Sequence, residues 1–120
     1  MTYDSITVMQ SSPHVGAEIG NVDLTRPLSN REVEEIRQAI NAHGVVFFRD
    51  QVFDPESHER FVRYFGEPHV HAGGKSTAST AVPGYPALRK QYFNEKSARI
   101  SGETWHSDQS CAEIPPMYSV

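Results

Sequence analysis

At 120 residues the chain is long enough for one ordinary domain with one core. Hydrophobic residues at 38% and aromatic residues at 10% exclude a wholly disordered chain. The net charge of −4, with ten acidic against five basic residues in positions 1–60 and five against six in 61–120, leaves no basic face for nucleic acid. No run approaches membrane-spanning length, and the opening MTYDSITVMQSS lacks both the basic start and the apolar stretch of a signal peptide. The single cysteine, Cys111, can make no internal disulfide, so a cytoplasmic, reducing setting is expected.

The first expected element is a strand pair, with Ile6 and Val8 alternating and then Val15, Ala17 and Ile19, the second run bracketed by Gly16 and Gly20. Ser29 and Glu32 next form an S-x-x-E capping box, with Leu28 and Val33 placed as a hydrophobic staple. A helix is predicted from Asn30 to about His43, burying Val33, Ile36 and Ile40, with Gly44 as its C-terminal cap. Val45 to Phe48 is β-branched and aromatic with no polar break, which predicts a core strand covered on both faces. Asp54 and Pro55 open a second helix carrying Phe61 and Phe65, stopped by Gly66 and Pro68. Residues 72–86 concentrate Gly, Ser, Thr and Pro and predict a long loop, followed by a short strand from Ala87 to Phe93.

The chemistry-bearing pair is His106 and Asp108. In an extended backbone, side chains at i and i+2 share a face, so the imidazole and carboxylate can converge on one ion. Mixed nitrogen and oxygen donors suit a first-row divalent metal, and two His with one carboxylate on one face leave the open positions an Fe(II) oxygenase needs. A His-x-Asp triplet arises by chance roughly 0.25 times in a chain of this composition, so the pair alone does not decide. A different reading joins His69 and His71 to His106 and Asp108 as a four-ligand zinc site in a small non-enzymatic zinc-binding or partner-binding module. Trp105 is expected as a core aromatic and Cys111 as a small buried hydrophobe. Arg49 and Asp50 read as either a solvated turn or a pair that fixes the end of the preceding strand.

The order of the segments GAEIGNVDL, HGVVFFRDQ, FVRYFGEPHVH and WHSDQSC with PPMYSV resembles the taurine and chlorophenoxyacetate dioxygenase family over nearly the whole chain. The resemblance implies an α+β chain forming the N-terminal part, residues 1–120, of a double-stranded β-helix (jelly-roll) dioxygenase domain whose barrel is incomplete here. It implies Fe(II), with 2-oxoglutarate as co-substrate, and hydroxylation by dioxygen of a small, anionic organic substrate. Carried over residue by residue, His106 and Asp108 match two iron ligands and His71 matches a contact to the substrate's acidic group. The taurine branch has a tyrosine three residues after that histidine and an asparagine four before the metal histidine. This chain has Gly74 and Gly102 there, so taurine itself is not singled out. The third ligand and the 2-oxoglutarate-binding Arg are expected beyond Val120. The 120 residues alone are therefore expected to be inactive, and to fold marginally or associate as a homo-oligomer through uncovered apolar faces.

Overall fold

The N-terminal half of the computed structural model is organised around β2 (Ala17–Gly20), which pairs antiparallel with β1 (Thr7–Gln10) and parallel with β3 (Val46–Phe48). The structure describes residues 2–70, 80–98, 100 and 102–120, and the chain divides into two units, Met1–Gly66 and Glu67–Val120. Parallel strands need a crossover, and α1 (Asn30–His43) supplies it between β2 and β3, packing on both.

The start of α1 is set by its own side chains. Ser29 Oγ accepts from the Glu32 N–H at 3.2 Å while Glu32 Oε2 accepts from the Ser29 N–H at 2.7 Å, closing the capping box. At the other end Gly44 caps the helix, its N–H donating to the Ile40 carbonyl at 2.7 Å. The helix buries Ile36 and Ala39 fully, with Ile40 half-buried against the same core. α2 (Pro55–Arg63) starts in the same manner, Asp54 accepting from the Ser57 N–H at 2.7 Å with Pro55 in the first turn.

The core of this unit contains Ile6, Ile19, Leu24, Ile36, Ala39 and Phe61. Phe61 meets the edges of Phe48, Tyr64 and Phe65 at centroid distances of 5.7, 6.5 and 5.3 Å. Three polar ties hold the connections over it. Gln51 accepts from the Leu24 N–H at 2.8 Å and donates to the carbonyls of Val22 and Arg49. The Leu28 N–H donates to Tyr64 Oη at 2.9 Å. Glu35, a buried carboxylate, accepts from the N–H groups of Asp4, Ser5 and Ile6 and from the Ser5 hydroxyl, with Arg31 alongside. Burial opposes its ionisation, but the Ser5 hydroxyl and backbone N–H, then Arg31 and the Ile6 N–H, pull its pKa down to about 2.

One expectation needs correction here, and one open alternative is decided. The Val45–Phe48 run does not form a strand covered on both faces. Among the described residues β3 lies at the sheet edge with Val46, Phe47 and Phe48 half-buried and Val45 exposed, and β2, holding buried Ala17 and Ile19, is central. Arg49 lies over the Phe47 ring at 4.7 Å and 3.5 Å from Glu18, and with Asp50 it forms an exposed bend, the solvated-turn alternative.

In the second unit β4 (Ala81–Val82) and β5 (Tyr85–Arg89) form a hairpin. The loop expected over 72–86 thus gives way to strand from Ala81, and the strand expected over Ala87–Phe93 begins earlier and stops at Arg89. The signal passed over is Pro83-Gly84: Pro fixes the first central position of the turn, and Gly84, at φ +82°, takes a position that type II geometry reserves for positive φ. Among the described residues of 67–120 no side chain is buried and the strands close no barrel.

Candidate metal centre

His106 and Asp108 lie on an irregular segment of the second unit, in neither helix nor strand, and the structure nevertheless brings them together. His106 Nε2 is 2.9 Å from Asp108 Oδ1. The two side chains remain 48% and 68% exposed, open to a ligand from solvent. On its other edge the imidazole is held by the Thr104 carbonyl, 2.6 Å from Nδ1. A carbonyl can only accept, so Nδ1 carries the proton and Nε2, facing Asp108, is the nitrogen a metal would take, the arrangement that fixes tautomer and ring orientation in metal-binding histidines. The Thr104 carbonyl raises the imidazole above its ordinary pKa range; slight burial opposes this, and the Asp108 carboxylate adds to the rise. With both ring nitrogens protonated the ring donates to Thr104 and Asp108 together; as a metal ligand, Nε2 would have to give up its proton.

The donor set fits a divalent metal. One imidazole nitrogen and one carboxylate oxygen, 2.9 Å apart and both reachable from solvent, are the donor types that would hold a first-row dication. Gly102 matters to this geometry: its φ is +82°, and a Cβ there would lie 3.3 Å from His106 Cε1, so a side chain would strain the backbone and crowd the imidazole.

His71, the expected substrate contact, lies outside the described residues, as does Gly74. His69 is half-buried and turned to another partner, Gln109, with Nε2 3.2 Å from Oε1. Among the described residues no group of three or more His, Cys, Asp or Glu gathers to hold a metal, so the four-ligand zinc reading has no support. Trp105 is fully exposed and Cys111 is exposed, against the expectation that both would be buried. The reason is local: among the described residues none covers them. Sequence reasoning also missed the Thr104 carbonyl, for which no side-chain signal exists, and Gln109, whose only signal is its place beside the His-x-Asp triplet.

Residues 7–120 match the model of the taurine catabolism dioxygenase TauD, TfdA family. The chain belongs to this family. An alpha-ketoglutarate-dependent sulfate ester dioxygenase of Pseudomonas putida is 32% identical over 107 residues, 88% of this chain and 33% of that protein. A taurine dioxygenase from Burkholderia xenovorans matches with a TM-score of 0.62 at 43% identity, over 69% of this chain and 28% of that chain. AAD-2, in complex with Mn(II) and N-oxalylglycine, matches with a TM-score of 0.52 at 29% identity, over 57% of this chain and 26% of that chain. The chain thus spans about a third of the length of the curated relative. Among its described residues no helix is long and apolar enough to cross a membrane.

Proposed function

We propose that these residues are the N-terminal part of one jelly-roll dioxygenase domain in a protein that uses Fe(II), 2-oxoglutarate and dioxygen to hydroxylate a small organic anion. The products are the hydroxylated substrate, succinate and CO2, one oxygen atom of O2 going to each organic product. The relatives' named activities favour a sulfate ester or a sulfonate as the anion, and the setting is cytoplasmic. The observation that carries the reading is the His106–Asp108 pair, 2.9 Å apart and oriented by Thr104, in a chain of this family.

When bound, the metal with 2-oxoglutarate and dioxygen supplies the oxidising chemistry that couples decarboxylation to attack on a C–H bond. The chain's own part is to hold and orient. His106 Nε2 and Asp108 Oδ1 offer one neutral and one anionic donor, which partly neutralises a dication and leaves open positions. The Thr104 carbonyl accepts from Nδ1–H, which would leave the Nε2 lone pair for the metal. Gly102 leaves space against the imidazole edge. His71 contacts the substrate's acidic group. A third ligand and an Arg that pairs bidentately with the distal carboxylate of 2-oxoglutarate complete the site from elsewhere in the protein. N-Oxalylglycine, which differs from 2-oxoglutarate by NH in place of one CH2, occupies AAD-2 alongside Mn(II), in keeping with this arrangement.

The test is succinate formation by the whole protein with Fe(II), 2-oxoglutarate and a panel of alkyl sulfates, alkylsulfonates and aryloxyacetates. The expected outcome is substrate-dependent succinate that disappears on chelation and returns with Fe(II). Turnover that survives removal of iron would contradict the proposal.

A further inference from the structure

The His106–Asp108 pair is exposed and lies in neither helix nor strand, so something other than its own secondary structure must hold its shape. Local bonds supply part of this. His106 is bonded to Thr104, and the Ala112 N–H donates to the Gln109 carbonyl at 2.9 Å, closing a turn immediately after Asp108. Gln109 opens that turn at φ +51°, a conformation a non-glycine residue adopts only when its surroundings favour it. Its side chain is half-buried among exposed neighbours and meets His69, forty residues earlier in the chain, through Oε1 and Nε2 at 3.2 Å.

We propose that His69 is a positioning residue for the metal pair: its Nε2–H donates to Gln109 Oε1 and pins the left-handed turn that follows Asp108, keeping the carboxylate beside His106 Nε2. His69 touches neither the metal nor the substrate. The histidine that the zinc reading took for a ligand acts instead through the residue next to one. The cost of losing it is a wider range of His106–Asp108 separations, felt as weaker metal binding because the ion must then organise the turn itself.

The inference rests on the metal reading above, and its test separates the two. Mn(II) is titrated into the metal-free whole protein, bound and free ion being distinguished by the EPR signal, with the apo melting temperature recorded for each variant. His69→Leu and Gln109→Leu should each weaken Mn(II) binding by about three- to tenfold. The double variant should be no weaker than the worse single one, because both remove the same contact. His69→Gln places an amide N–H near the lost Nε2–H and should stay within about twofold of the parent. The apo melting temperature should hardly move. Unchanged binding in His69→Leu, additive losses, or a His69→Gln variant as weak as His69→Leu would overturn the proposal, the last by pointing to direct ligation. Where His69→Leu fails to fold, Gln109→Leu against Gln109→Glu, which keeps the acceptor, carries the same comparison. A parent protein that binds no Mn(II) contradicts the dioxygenase reading itself; a parent that binds it while the leucine variants bind equally well removes only the role of His69.

Discussion

The two units of the chain solve opposite problems. Residues 1–66 bury Ile6, Ile19, Leu24, Ile36 and Phe61 in one core and tie its connections with Gln51, Tyr64 and Glu35. Residues 67–120, where described, bury no side chain, yet they hold His106, Asp108 and the His69–Gln109 bond. Apolar burial gives one unit its shape, while in the other a few directional polar contacts shape the site. A site left open to solvent, as the proposed metal site is, cannot be filled by packing, so hydrogen bonds take over the ordering there.

The sharpest way to break this contrast is to remove core volume. Ile36→Ala should destabilise the chain by about 2–5 kcal/mol in urea unfolding, the cost of lost burial plus the cavity left behind. A loss under about 1 kcal/mol would mean that the N-terminal core does not carry the fold.

A second probe is acid. Glu35 has an ordinary carboxyl value of 4.5 that its hydrogen bonds lower to about 2. The unfolded chain therefore binds this proton more readily than the folded one, and the stabilisation is complete above about pH 4.5 and lost as pH falls from there toward about 2. The urea midpoint should decline over that window, and Glu35→Gln should flatten the decline. An equal slope in both proteins would show that Glu35 does not hold Asp4, Ser5 and Ile6.

The smallest effect is expected in the second unit. Trp105→Ala should change the stability of the 120-residue chain by no more than about 0.5 kcal/mol, since the side chain is fully exposed. A core-sized loss there would show that the open unit has a packed interior after all.

What could be read in the sequence follows the same division. α1 was legible to its ends because Ser29, Glu32 and Gly44 are local signals, and the start of α2 because Asp54 and Pro55 are; its end was not, since the helix stops at Arg63 and Phe65, expected on it, lies beyond. Edge and centre in the sheet were not, because Val45–Phe48 looks the same in either place and only pairing decides it. In the site, the spacing of His106 and Asp108 was visible, but the holding groups were not: Thr104 acts through its carbonyl and Gln109 through a contact forty residues away. Trp105 and Cys111 misled because residue type predicts burial only where a core exists to receive it.

The central claim is that His106 and Asp108 together hold the metal, and direct binding tests it most simply. Fe(II) or Mn(II) titrated calorimetrically into the whole protein, its His106→Ala variant and its Asp108→Ala variant under anaerobic conditions should show one site in the parent. Each variant should bind at least about a hundredfold more weakly, since losing a ligand costs more than the ten- to hundredfold typical of groups that only orient one. Parent-like affinity in either variant would contradict the account.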